Sequence, residues 1–155
     1  MGKPNLKNHW PLLLSLMVWL GIDLSTKIGV SSADFGTKIF IKDFFYLTPH
    51  HNQGVAFGLF FGQWPQIILS LAILGALVIY ATHDEGGRKT NRFLRQALLG
   101  IIMGGAIGNL VNRIWLGYVI DFIYLKPFPV FNFADIGITL GLLSLFLIAL
   151  KKNNI

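Results

Sequence analysis

Hydrophobic residues form four long stretches in this sequence, and the segments between them hold most of the charged positions. The stretches run from Pro11 to about Ile28, from Ile67 to about Thr82, from Phe93 to about Ile114, and from Phe131 to Leu150. Because a helix rises about 1.5 Å per residue, roughly 20 apolar residues cross a hydrocarbon core of about 30 Å. The pattern therefore predicts an all-α membrane protein with four transmembrane helices.

The segment between the first two stretches, from Gly29 to Gln66, is too long for a simple turn. It contains short β-prone runs, such as Lys38 to Leu47, that are interrupted by Gly and Pro. It is also rich in aromatic residues, which are uncommon in disordered segments and common at membrane interfaces. We therefore expect a small ordered structure that rests at the membrane surface.

Composition supports one membrane-embedded domain that covers residues 1–155. Of the 155 residues, 54% are hydrophobic and 13% are charged, which is too apolar for an ordinary soluble domain. The chain has no cysteine, so disulfides, cysteine-ligated zinc and a cysteine nucleophile are excluded.

The basic residues predict the orientation, because cytoplasmic segments near the ends of spans carry the excess of Lys and Arg. With both termini in the cytoplasm, the inner side holds Lys3, Lys7, Arg88, Lys89, Arg92, Arg95, Lys151 and Lys152. The formal net charge of +6 then reflects topology and contact with anionic inner-leaflet lipid. No basic stripe with interleaved aromatics indicates nucleic acid, so we expect membrane lipid as a partner and no nucleic acid.

Polar residues gather near the predicted outer ends of the spans. Ionisable groups at membrane depth are costly, so they normally face the interior of a bundle or a water-filled cavity. The sequence therefore predicts a polar site near the outer leaflet. Its candidate residues are Asp23, Asn109, Arg113, Asp121, Asn132 and Asp135.

Asp121 and Asp135 are the best candidates for acid and base chemistry. Two neighbouring carboxylates do not ionise together easily, so one retains a proton while the other activates a water. No cysteine is present and no histidine lies beside a candidate serine nucleophile, which leaves these carboxylates. A structural interpretation fits the residues equally well, with Asp135 capping the fourth span and Asp121 pairing with Arg113.

The adjacent residues His50 and His51 raise the possibility of a metal site. No further ligands at suitable spacing accompany them, so we expect neither a metal nor another cofactor.

Four motifs resemble those of one enzyme family. GGAIGNLVNRIWLGYVIDFI (Gly104 to Ile123) and FNFAD (Phe131 to Asp135) resemble the two signature regions of lipoprotein signal peptidase, also called signal peptidase II, of aspartyl peptidase family A8. Asp23 with Thr26 and Lys27 is similar to a third family motif, and NQGVAFG (Asn52 to Gly58) to a fourth. The motifs occur in the family's order and span nearly the whole chain.

The resemblance implies four transmembrane helices with a small extracytoplasmic β-cradle between the first and second. It also implies a reaction in a bacterial inner or cell membrane, near the outer leaflet. The family removes the signal peptide from a prolipoprotein just before a cysteine that carries diacylglyceryl, using two aspartates and a water without metal. We expect such a protein to act as a monomer.

Carried over by motif, the catalytic pair is Asp121 and Asp135. Asp23 and Lys27 match positions near the rim of the family's site. The positions that orient the pair or bind the substrate, including that rim, correspond to Asp23, Lys27, Asn52, Gly54, Asn109, Asn112, Arg113, Asn132 and Ala134.

Asn112 departs from the family pattern, which usually has Asp at this position. Losing that carboxylate removes a partner for Arg113, although an amide oxygen still accepts a hydrogen bond. We therefore expect an active but slower enzyme.

Two alternatives stay open on the residues alone. The first is a small ion-coupled or proton-coupled transporter, although such proteins place acids near the bilayer midplane and have related halves, and this sequence has neither. The second is a catalytically weak relative that binds lipoprotein precursors, which only Asn112 suggests.

Overall fold

The computed structural model describes residues 9–32, 34–54, 63–83 and 89–153. Their elements, in chain order, are α1 (Trp10–Val30), β1 (Lys38–Ile41), β2 (Phe45–Asn52), α2 (Gln63–His83), α3 (Lys89–Leu116), β3 (Val119–Leu125) and α4 (Phe133–Asn153). All four helices are long and apolar enough to cross a membrane. The predicted four-helix membrane fold is therefore confirmed.

The helices start and end at different residues from the predicted spans, because hydropathy locates only the apolar part of a helix. Helix α3 begins at Lys89, one turn before the apolar stretch, since polar residues at a helix end can remain in water. Helix α4 begins at Phe133, two residues later than predicted. The preceding Phe131 forms a bridge with Ile123 instead.

Helix α3 is the centre of the bundle and packs most extensively against α1 and α4. Gly104, Gly105 and Gly108 permit this close approach, because they have no side chain to keep the helices apart. A Cβ atom on Gly105 would lie 2.6 Å from the carbonyl oxygen of Ala134 in α4. A Cβ atom on Gly108 would overlap the Asp23 carboxylate of α1. The small residues thus bring the polar side chains of three helices together.

The three strands form an antiparallel sheet in the order β1-β2-β3. Strands β1 and β2 confirm the predicted β structure between the first two helices. Strand β3 was not predicted as a strand, because it follows α3 and pairs with β2 across a long stretch of sequence. Leu47 pairs with Ile123 and His50 with Asp121, and the register shifts between these pairs.

A small hydrophobic cluster fixes the sheet over the end of α1. Val30 is buried with Ile120, Phe122 and Ile123 of β3, and side chains from β2 and the start of α4 pack around them. Strand β3 therefore lies between the C-terminal end of α1 and the N-terminal end of α4, where the candidate residues are found.

Candidate active site

The first turn of α4 holds Asp135 in a fixed orientation. Asn132 precedes the helix, and its Oδ1 accepts a hydrogen bond from the Asp135 N–H at 3.0 Å. Asp135 Oδ2 accepts in return from the Asn132 N–H at 3.1 Å. This reciprocal arrangement is a capping box. The predicted capping interaction of Asp135 is therefore present, and it leaves Oδ1 directed at Asn109 Nδ2, at 2.9 Å.

Asp121 lies on β3 with only 2% of its surface exposed. Its Oδ1 accepts from Asn132 Nδ2 at 2.7 Å, and its Oδ2 accepts from Asn52 Nδ2 at 2.8 Å. Asn52 is itself held by the Gly54 N–H, which donates to Asn52 Oδ1 at 3.0 Å. The carboxylate is thus fixed from β2 and from the start of α4.

Asn132 connects the two carboxylates and is completely buried. Its side chain bonds Asp121, while its backbone and amide oxygen engage Asp135. Its Nδ2 also donates to Asn109 Oδ1 at 3.1 Å. Each carboxylate consequently accepts two N–H donors, and one asparagine is common to both.

Asp23 and Lys27 form an ion pair beneath these residues, with Nζ and Oδ2 2.8 Å apart. Their side chains are 0% and 1% exposed, so the pair is buried within the bundle. Lys27 also donates to Asn109 Oδ1 at 2.8 Å. Asp23 Oδ1 accepts from the backbone N–H of Ala134 at 2.9 Å, one of the donors at the start of α4 that lack an intrahelical partner. The pair ties α1 to α3 and α4.

Asn112 supports the backbone of β3 just before Asp121. Its Oδ1 accepts from the Ile120 N–H at 3.2 Å, and Asn132 Nδ2 donates to the Ile120 carbonyl at 3.4 Å. The two side chains thereby take the place of a neighbouring strand. Sequence reasoning had linked Asn112 to Arg113 and missed this contact, because β3 itself was not predicted.

Arg113 lies where its charge interacts favourably with both Asp135 and Asp121. Its Nε donates to Gln66 Oε1 of α2 at 2.8 Å. Gln66 is a buried polar residue that the sequence reading did not select as a site residue. In the sequence, the only indication that Gln66 belongs to the site was its polar amide just before an apolar stretch.

Asp121 lies in surroundings that favour its protonated form. Burial raises the pKa of Asp121 from its ordinary value of 3.8 to about 6, the nearby charge of Asp135 also raises it, and the hydrogen bonds from Asn52 and Asn132 oppose the rise. Asp135 is less buried than Asp121. One protonated and one ionised carboxyl group are the requirement for paired acid and base chemistry.

A cavity of about 270 Å³ leads from this site down between α2, α3 and α4. Its walls include Asn109 and Arg113 at the polar end and Ile73, Leu77 and Leu142 further along. We call it the interhelical cavity. An apolar chain with a polar end fits these walls.

The two histidines of β2 point to opposite faces of the sheet. His51 stacks on the ring of Tyr118, with centroids 4.1 Å apart, whereas His50 is the cross-strand partner of Asp121. Among the residues that the structure describes, no three His, Asp or Glu side chains form a metal-binding group. Residues 55–58 of the NQGVAFG motif lie outside the described residues.

Comparison with known proteins agrees with these motifs. The family model described as signal peptidase (SPase) II matches residues 15–151. The lipoprotein signal peptidase of Moorella thermoacetica is 36% identical over 137 residues, which cover 87% of this chain and 89% of that protein. That of Shouchella clausii is 40% identical over 136 residues, covering 85% of this chain and 87% of that protein.

A solved structure described as a bacterial membrane enzyme has a similar fold. It superposes with a TM-score of 0.81 and 28% sequence identity, covering 92% of this chain and 88% of the other. The likeness therefore extends through the four helices and the sheet. These matches support a peptidase and neither the transporter nor the binding-only alternative.

Proposed function

The chain belongs to the signal peptidase II family and is an aspartic peptidase of a bacterial membrane, and we propose that Asp121 and Asp135 are its catalytic pair. The observation that carries the proposal is Asn132, which hydrogen-bonds both carboxyl groups from one buried position. Such an arrangement gives two carboxyl groups different surroundings, which divides the acid and base functions between them.

The substrate of this proposal is a prolipoprotein whose cysteine carries diacylglyceryl, cut on the N-terminal side of that cysteine. The names of the relatives support a lipoprotein precursor. A signal segment is an apolar helix, and the interhelical cavity has apolar walls with Asn109 and Arg113 at one end. The cavity thus suits the short extended end of that segment, next to the carboxyl groups.

In the proposed reaction the pair holds one proton, and the greater burial of Asp121 favours its location there. Ionised Asp135 takes a proton from water while the water oxygen bonds to the scissile carbonyl carbon. Asp121 gives its proton to the amide nitrogen as the carbon–nitrogen bond breaks. The products are a signal peptide with a new carboxyl group and a mature chain with a free amine.

The supporting residues have separate functions in this scheme. Asn109 and Asn132 fix the carboxyl groups, and Arg113 stabilises negative charge beside them. A helical substrate hides its carbonyls in intrahelical bonds, so the scissile segment must unwind before attack. Asn52 and Gly54 lie beside Asp121 at the end of β2, where an extended backbone can bond to them.

We also propose that both termini are cytoplasmic, that the site lies near the outer leaflet, and that the protein acts as a monomer. The distribution of Lys and Arg supports the orientation. The site residues come from the C-terminal ends of α1 and α3 and the start of α4, which all lie at one end of the bundle.

The test is cleavage of a diacylglyceryl-modified prolipoprotein by purified protein in detergent, read as a gel shift. We expect cleavage by the parent and none by Asp121→Asn or Asp135→Asn. Asp43→Asn is the matched control, because Asp43 is exposed in the β1–β2 turn and its positive φ of 61° suits asparagine. Normal turnover by either of the first two variants would contradict the assignment of the pair.

A further inference from the structure

A second cavity lies between the end of α1, the sheet and the start of α4. Its volume is about 420 Å³, within the range of roughly 300–1,000 Å³ of small-molecule sites. We call it the lateral groove. The residues that line it include Thr26, Gly29, Phe45, Leu47, Phe122 and Phe133.

The lateral groove lies close to Asp121 along β3. Ile123 also lines it, and Ile123 is two residues along β3 from Asp121, so both side chains lie on one face of the sheet. Two residues of a strand cover about 7 Å. The neighbouring strand β2 runs alongside both positions, because Leu47 lies opposite Ile123 and His50 lies opposite Asp121. A group attached near a scissile bond at Asp121 therefore reaches the groove.

The walls of the lateral groove are almost wholly apolar. Thr26 is the one polar side chain among its lining residues, and its hydroxyl bonds the Ile22 and Asp23 carbonyls at 2.7 and 2.9 Å. The interhelical cavity differs, because Asn109 and Arg113 supply polar groups for a peptide backbone. The two cavities thus suit different parts of one substrate.

We propose that the lateral groove receives an acyl chain of the substrate's diacylglyceryl group while the extended end of the signal segment lies in the interhelical cavity. The inference rests on the proposed function and adds the position of the lipid to it. In a diacylglyceryl cysteine the thioether lies a few bonds from the scissile carbonyl. The acyl chains consequently begin beside the catalytic pair, about two strand residues from the groove lining at Ile123.

The groove acts by accommodating the chain, not by extracting it from the bilayer. Lipid tails are as apolar as a leucine side chain, so transfer from bilayer to groove provides little hydrophobic free energy. A chain with no groove to enter would instead be forced towards the polar site or the aqueous boundary. A blocked groove therefore penalises long acyl chains and spares short ones.

Gly29→Phe tests this directly, because a Cβ atom on Gly29 meets nothing within 4 Å and the variant can fold. Gly21→Phe is the matched control on the same helix, since Gly21 is equally open and lines neither cavity. The substrates are one prolipoprotein peptide with dipalmitoyl or dibutyryl glyceryl. We expect kcat/KM of Gly29→Phe to fall at least tenfold with the long chains and less than twofold with the short ones, while Gly21→Phe matches the parent with both.

An equal loss with both substrates would overturn the proposal, as would no loss with either. An equal loss would fit a bulk phospholipid or a purely structural cavity. A parent that cleaves neither substrate would contradict the proposed function itself, which separates the two failures.

Photocrosslinking gives a readout that does not depend on turnover. The Asp121→Asn variant is mixed with a dipalmitoyl substrate that carries a diazirine on one acyl chain, then irradiated and digested. We expect adducts on the segments around Thr26 and Leu47, from α1 and β2. Adducts confined to Ile73 and Leu142 would place the lipid in the interhelical cavity and overturn the proposal.

Discussion

Replacing Lys27 with methionine tests how much the buried Asp23–Lys27 ion pair contributes to the stability of the protein. Methionine nearly matches the length of lysine but leaves the Asp23 carboxylate, which is 0% exposed, without its cation. Removing one partner of a buried ion pair destabilises a protein by about 3–5 kcal/mol, because the remaining charge is uncompensated. In a domain of this size each kcal/mol lowers Tm by roughly 2–4 °C. We therefore expect Lys27→Met to unfold about 10 °C below the parent.

The double variant Asp23→Asn/Lys27→Met distinguishes charge burial from lost packing. The amide at position 23 keeps an oxygen for the Ala134 N–H and carries no charge. We expect the double variant to be more stable than Lys27→Met, although it carries one more substitution. Thermal unfolding in one detergent, followed by circular dichroism, measures all variants. Lys42→Met is the control, since Lys42 is exposed. A double variant less stable than the single one would refute the reasoning.

Three further predictions concern packing, pH and the support of β3. Gly105→Ala should lower Tm, because its Cβ would lie 2.6 Å from the Ala134 oxygen and overpacking costs about 1–3 kcal/mol. Gly75→Ala, with nothing within 4 Å of its Cβ, should not lower Tm, and an equal loss in both variants would contradict this. The pKa of Asp121 is raised from 3.8 to about 6, so its contribution to stability is complete below pH 3.8 and is lost as the pH rises through 6. The total is about 3 kcal/mol, and the parent's Tm should fall between about pH 4 and 7 more steeply than that of Asp121→Asn. Parallel curves would disprove the shift. Asn112→Ala removes the acceptor for the Ile120 N–H and should lower kcat about fivefold with KM little changed, since one net hydrogen bond is worth about 1 kcal/mol. Asn112→Asp keeps an acceptor and should be at least as fast as the parent, so an inactive Asn112→Asp would count against this role.

The sequence predicted the four helices because the length of an apolar run is a local property. Strands β1 and β2 were also expected, from β-prone residues in the segment that follows α1. Strand β3 was missed as a strand, because its seven residues resemble any short buried run and its partner β2 lies far away in sequence. Non-local pairing of this kind depends on the packing of helices that a pattern does not specify.

For the site, too, local motifs were predictable from the sequence and contacts between distant segments were not. The motifs identified Asp121, Asp135 and Asn132, and the structure gathers them within hydrogen-bonding distance of shared partners. The motifs did not indicate which atoms meet. The contact of Asn112 with Ile120 and the burial of Lys27 depend on the docking of β3 and α1, so they became visible only in three dimensions.

The capping box at Asn132 determines when the site is assembled during synthesis and membrane insertion of the chain. Asn132 and Asp135 belong to the last span to leave the ribosome, whereas Asp23, Asn109 and Asp121 are made earlier. A nascent chain with three inserted spans therefore lacks one carboxyl group and the asparagine that orients both. The site is therefore incomplete until the first turn of α4 forms. Formation of that turn completes the helix and assembles the site in one event.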